Sequence, residues 1–333
     1  MKYIFICIIF IGLLGGGFYF FNNRKTPTIE QPDTSLFPVA GQVVPVITPI
    51  ETPTVTQTKN SLSTVPFDIT KTYKTSSKTD LLYANDGILM HKFDLYTPDD
   101  GETVHPFIVF IHGGGFITGD KKETKAWAQQ MATHGFAVAT INYRLATDGA
   151  IWPEPLCDVR TATKYLVDHA TTLGLNSTRF AIAGVSAGGI LTAQATLSAN
   201  DKNLCGFVAP IPRGGVVASG SFMQKDISLF KKAQLTMLST MLDCTSVTSI
   251  DCTNKFAVFL PETYADKNDP PLLLLHGEKD TTVPTQHALD FYPFLQGKGI
   301  DVSLKLAPDL AHPGLLERFN TETIQFFADV LNN

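Results

Sequence analysis

Phe180-Ala181-Ile182-Ala183-Gly184-Val185-Ser186-Ala187-Gly188-Gly189 is the stretch whose reading decides the fold. Phe180–Gly184 is apolar without alternation, as in a strand buried on both faces. Gly188–Ser198 is rich in small residues and reads as a helix packed closely on its neighbours. A strand-to-helix turn this tight drives its central side chain into a strained, exposed position. Glycines two before and two after relieve the backbone clash. The Ser186 hydroxyl is therefore expected at the carboxyl edge of a sheet. The G-x-S-x-G string alone is a weak signal, and the strand–turn–helix context gives it weight.

Working outward, Phe107–Ile111, Ala137–Ile141, Leu204–Ala209, Leu272–His276 and Val302–Leu306 read as further strands. Lys121–His134, Glu154–Leu173, Gln286–Gln296 and Leu315–Leu331 read as helices. Strands alternating with helices predict an α/β fold with a mostly parallel, doubly wound sheet. Two short strands precede the alternation, Leu81–Tyr83 and Lys92–Tyr96 around the turn Asn85-Asp86-Gly87, and predict an antiparallel edge. Between about 210 and 270 the alternation stops. This stretch, with a helix at Ser228–Leu242, reads as a small cap-like insertion over the carboxyl edge, where open α/β sheets bind ligands.

The strand Phe107–Ile111 runs into His112-Gly113-Gly114-Gly115-Phe116. Successive glycines let backbone N–H groups point into a cavity and stabilise a developing oxyanion. Gly114 and Gly115 are the expected donors, with Ala187 as a third. His112 is expected to hold the loop by hydrogen bonding. Serine needs a general base, and the chain has 8 histidines. His312, in Ala311-His312-Pro313-Gly314, follows the last strand and falls in a carboxyl-edge loop. His91, His105, His134, His169, His276 and His287 sit on strands, helices or peripheral elements and read as structural. The orienting acid should follow the preceding strand. Asp280 in Gly277-Glu278-Lys279-Asp280 fits, with Glu278 as an alternative.

These stretches, with Ile141–Leu145 and Pro155–Leu166, resemble the α/β-hydrolase fold from about Phe67 to Asn333. Within it they resemble the HGGG-type esterases, hormone-sensitive-lipase-like and bacterial feruloyl-esterase-like. The resemblance implies Ser186, Asp280 and His312 as the catalytic residues, and Gly114, Gly115 and Ala187 as the oxyanion hole. It also implies a structural Asp158 that braces the loop around Tyr143 and Arg144. The expected activity is hydrolysis of small-molecule carboxylic esters with short acyl groups through an acyl-enzyme, with no cofactor and no metal. It should fall below about pH 6.5, the ordinary value of the imidazole base. A peptidase or amidase on the same fold is the alternative, and a non-catalytic binding module a further one. Phe116 and Trp152 are the expected pocket residues, with Phe222 and Met223 of the insertion as further candidates.

A formal net charge of −5 without a basic run excludes a nucleic-acid binder, which must neutralise phosphates. The uncharged run Tyr3–Phe21, about 19 residues at about 1.5 Å each, predicts a transmembrane anchor. A cleaved signal segment is the alternative. Residues 22–66, rich in Pro and Thr, predict a disordered linker, and 67–333 a catalytic domain that is membrane-anchored and extracytoplasmic, or secreted after cleavage. Cys157, Cys205, Cys244 and Cys252 allow three pairings. Cys244 with Cys252 would close a short loop, and four free thiols is the other possibility.

Overall fold

A computed structural model describes residues 70–222, 232–246 and 249–332. All fall in one compact unit, Ser61–Asn333. The strands are β1 (Lys74–Leu82), β2 (Lys92–Asp99), β3 (His105–Ile111), β4 (Ala137–Ile141), β5 (Leu175–Val185), β6 (Gly215–Ala218), β7 (Leu272–Gly277) and β8 (Val302–Ala307). The helices are α1 (Lys125–Thr133), α2 (Glu154–Asp168), α3 (Ala170–Leu173), α4 (Ala187–Leu197), α5 (Lys202–Cys205), α6 (Lys232–Met241), α7 (Ile250–Phe259), α8 (Gln286–Gly297), α9 (Leu315–Arg318) and α10 (Asn320–Asn332). One 8-stranded sheet has the order β1-β2-β4-β3-β5-β6-β7-β8. β1 and β2 form the antiparallel edge, β2 meets β4 antiparallel, and the pairs from β4 to β8 are parallel.

The period-2 geometry of a strand explains why β3 is apolar at every position from Pro106 to Ile111, where both faces are buried. Phe107, Val109 and Ile111 enter the core that includes Leu156 and Val159 of α2 and Leu191 of α4. Ile108 and Phe110 enter the opposite core, with Trp127 and Met131 of α1 and Phe327 of α10. The Phe110 and Trp127 rings lie 4.4 Å apart. Each such side chain contributes about 1.5–3 kcal/mol by burial. Every residue of α4 is buried, which is why this helix carries small or apolar residues at every position but Gln194.

Two elements differ from the sequence reading. The strand expected at Leu204–Ala209 is not formed. There the Asp201 carboxylate caps α5 by accepting from Asn203 N at 2.8 Å, and Gly206 ends it in the left-handed region. The strand between β5 and β7 is instead β6, four residues long, so the helical insertion begins only after Ala218. It holds α6 and α7, whose Leu238, Met241 and Phe259 join the α2–α4 core.

The expectation of a transmembrane segment in the fold is corrected. Among the described residues no helix is long and apolar enough to cross a membrane. The longest, α2, has 15 residues, about 22 Å at about 1.5 Å each against about 30 Å of hydrocarbon. Residues 3–21 lie outside the described residues, as do 22–66. The membrane as partner and the membrane-anchored, extracytoplasmic location, both assigned to that stretch, are corrected with it.

Cys157 pairs with Cys205, tying α2 to α5, and Cys244 pairs with Cys252, tying the end of α6 to α7. The four-free-thiol alternative is set aside. In the chain-entropy account the longer loop, 48 residues, is worth about 4 kcal/mol and the 8-residue one about 2.5 kcal/mol.

Candidate active site

Ser186 sits between β5 and α4 with φ 57° and ψ −118°. A non-glycine residue held there costs about 1–3 kcal/mol and persists only where its surroundings over-determine it. They do so here. The Ser186 N–H donates to Ala218 O at 2.8 Å, and Ser186 O accepts from Ile190 N at 3.1 Å. Close approach accounts for both flanking glycines. A Cβ on Gly184 would lie 2.2 Å from Gly188 O, and one on Gly188 would lie 2.2 Å from Ile111 O.

The glycine loop leaves β3 directly. A Cβ on Gly114, whose φ is +107°, would lie 1.9 Å from Thr118 O. Gly114 O accepts from Ile117 N and Thr118 N, both at 3.1 Å. Among the described residues the backbone N–H groups of Gly115 and Ala187 donate to no backbone carbonyl. The His112 ring stacks on Tyr143 with centroids 4.5 Å apart, and its Nδ1–H donates to Gly113 O at 2.7 Å. Tyr143 OH donates to His112 O at 3.1 Å. Burial lowers the pKa of His112 and keeps the ring neutral. His112 is thus a brace of the loop, as its sequence context implied.

Asp280 and His312 come from loops after β7 and β8. His312 Nδ1–H donates to Asp280 Oδ2 at 2.7 Å. Asp280 Oδ1 accepts from Thr282 N and Val283 N, both at 2.8 Å. Burial pushes the Asp280 pKa upward. The bonds from His312, Val283 and Thr282 outweigh burial and hold it below the ordinary carboxylate range. His276 Nε2 lies 3.5 Å from Asp280 Oδ2 but donates to Val283 O at 2.9 Å, so it braces the acid loop. Glu278 is exposed, and only Asp280 meets His312. A residue not anticipated from sequence, Ser219, bonds through Oγ to His312 O at 3.3 Å. No local signal marks Ser219, because its neighbour is 93 residues away.

Ser186, His312, Ala187, Gly114, Gly115 and Phe116 line one cavity of about 480 Å³. Trp152 is not among its lining residues, a correction to the expected pocket. Its indole packs on Phe259 at 6.1 Å, and Phe259 in turn meets Phe116 at 6.2 Å. Phe222 is buried against Phe291, with centroids 4.2 Å apart, and Met223 lies outside the described residues. Met237 of α6 and Glu123 line the cavity instead. Met237 is brought there by packing alone, whereas Glu123 follows the glycine loop closely enough to be suspected from sequence. A second depression, about 510 Å³, opens at the amino edge around Thr178, Pro210 and Arg213. It contains none of the motif residues.

Asp158 accepts from Arg144 N at 2.8 Å and from Arg144 Nη2 at 2.7 Å. His91 Nε2 lies 3.1 Å from it. Burial raises the Asp158 pKa, and the hydrogen bonds from His91 and Arg144 lower it to a net position below the ordinary range. Asp158→Ala should destabilise the protein by about 2–3 kcal/mol, read as a lower urea midpoint. Breaking a fully buried pair costs more, but Arg144 is partly exposed and keeps Glu154.

Comparison with known proteins adds the family. The BD-FAE family model matches residues 93–295, more than half of the chain. The chain belongs to the BD-FAE family. Esterase LipC of Mycobacterium tuberculosis is 27% identical to this BD-FAE chain over 207 residues, 56% of this chain and 47% of that protein. The probable carboxylic ester hydrolase LipM of the same organism is 29% identical over 224 residues, 64% and 50% of the two chains. Among solved structures, the bifunctional GH43-CE of Bacteroides eggerthii superposes with a TM-score of 0.69 at 26% identity, covering 77% of this chain and 35% of that one. The BD-FAE chain spans about half the length of the curated relatives it matches.

Proposed function

We propose that this chain is a serine carboxylesterase acting on small esters. One observation carries the reading. A histidine held by a buried carboxylate at 2.7 Å opens on the cavity that contains a serine strained at φ 57° and the glycine loop. Because Nδ1 keeps the proton it donates in its hydrogen bond to Asp280, Nε2 of His312 is free to accept the Ser186 proton. Ser186 Oγ attacks the ester carbonyl, and the oxyanion is received by the N–H groups of Gly114, Gly115 and Ala187. His312 then protonates the departing alcohol, and water repeats the sequence to release the acid. These residues require no metal and no organic cofactor for acyl transfer. The finer placement, beside hormone-sensitive-lipase-like or feruloyl-esterase-like enzymes, rests on His112–Phe116.

A cavity of about 480 Å³ walled by Phe116 and Met237 favours short acyl groups. p-Nitrophenyl acetate and butyrate should be hydrolysed at least tenfold more efficiently in kcat/KM than the laurate, and aminoacyl and dipeptidyl p-nitroanilides should not turn over. Turnover of the anilides with no ester hydrolysis would replace this reading with an amidase.

A further inference from the structure

Among the described residues lining the cavity, Glu123 is the one acidic side chain, and no lysine or arginine joins it. Glu123 is exposed to solvent in the cavity mouth. It makes no ion pair among the described residues. Its position is fixed from below by the short helical turn Lys121–Thr124. Lys121, 1% exposed, is anchored through Nζ to Asp94 at 2.6 Å and Asp80 at 2.9 Å. The Asp120 carboxylate caps the turn by accepting from Lys122 N at 2.9 Å, and Thr124 Oγ1 donates to Lys121 O at 2.9 Å. Lys121 is thus already neutralised by two carboxylates, while Lys122 and Lys125, exposed on either side of Glu123 and Thr124, do not line the cavity. The charge of Glu123 also reaches the wall beneath the glycine loop. After burial, it is the other cause that raises the pKa of Tyr143.

We propose that Glu123 is a specificity-determining residue that turns the cavity against esters carrying a negative charge near the scissile bond and towards neutral and cationic ones. The inference rests on the esterase reading above. A cleft lined by one sign of charge between low-dielectric walls focuses its field on an entering substrate. An anionic ester must approach a carboxylate that no lysine or arginine of the cavity lining offsets, and a cationic ester gains from the same field. At the separations of a cavity mouth, a single charge of this kind alters relative kcat/KM by about 3- to 10-fold. Salt screens it, because the mouth is open to water.

The test uses the full chain and three esters with one leaving group: p-nitrophenyl butyrate, p-nitrophenyl hydrogen succinate and the p-nitrophenyl ester of 4-(trimethylammonio)butyrate. The readout is kcat/KM of each charged ester relative to the butyrate. Glu123→Gln should raise the anionic ratio about 3- to 10-fold and lower the cationic ratio by a similar factor. Glu123→Lys should carry both changes further in the same directions, and 0.5 M NaCl should shrink them. Glu102→Gln, an exposed carboxylate in the loop before β3, should leave both ratios at the wild-type values. Unchanged ratios in both Glu123 variants, with butyrate still hydrolysed, would overturn the specificity role and leave the esterase reading standing. Hydrolysis of none of the three esters by the wild type would overturn both.

Discussion

Ser186→Ala should abolish ester hydrolysis, lowering kcat by on the order of 10⁴-fold or more, and should end labelling by a fluorophosphonate probe. The size of the effect follows from the division of labour at the site. Without the hydroxyl there is no acyl-enzyme. What remains is the weak acceleration available from the oxyanion donors and substrate binding alone. The variant should fold normally. The Ser186 backbone is held by its N–H on Ala218 O and by Ile190 N on its carbonyl. Neither bond uses the side chain, and alanine adds no atom to a turn shaped by Gly184 and Gly188. An unfolding midpoint equal to that of the wild type, measured beside the kinetics, would separate lost chemistry from lost structure. Wild-type hydrolysis in this variant would remove Ser186 from the reaction.

The second large effect is expected at Asp280. Asp280→Asn should lower kcat by about 10³- to 10⁴-fold while KM changes little. Asp280 is 6% exposed and accepts from three donors, the His312 ring and the amides of Thr282 and Val283. An asparagine can satisfy the two amides with its oxygen only by turning its NH₂ towards His312 Nδ1. The imidazole must then accept at Nδ1 and carry its proton on Nε2, the tautomer that cannot take a proton from serine. Glu278→Gln gives the contrast. Its exposed side chain is not paired with His312, so activity should stay within about threefold of the wild type. The pKa of Asp280 is depressed, so its bonds stabilise the fold at and above the ordinary carboxylate range. That contribution is lost only as pH falls through the lower folded value. Activity changes between pH 5 and 8 therefore do not arise from Asp280.

The parts of the site that could be read from the chain are those that local geometry demands. Gly184 and Gly188 stand where backbone oxygens come within 2.2 Å of a would-be Cβ. A motif of that kind is written into sequence because no other residue fits. Asp280 and His312 were legible for a topological reason. They follow consecutive parallel strands, and parallel strands deliver their carboxyl ends to one edge. Asp158 was legible through its resemblance alone, and the structure shows its physical use in the bonds to Arg144.

Other features were hidden because they depend on distant packing. β6 is four residues long and too short to show a period, while the apolar run at 204–209 imitated a strand that the Asp201 cap and Gly206 prevent. Trp152 was an expected pocket residue, but the insertion offered it Phe259. Met237 reached the cavity only because α6 folds back over the glycine loop, its sulfur 3.1 Å from where a Gly115 Cβ would lie.

The sequence by itself determined the sheet-and-helix alternation, the two glycine-dependent turns and the loops that carry the acid and the base. Each follows from steric exclusion or periodicity over a few neighbouring residues. Tertiary structure decided which cysteines pair, which side chains wall the cavity, and that no lysine or arginine joins Glu123 in its lining. Most of those outcomes depend on contacts between residues tens of positions apart, such as Cys157 with Cys205, whose energies are set by how whole elements pack and not by any local preference.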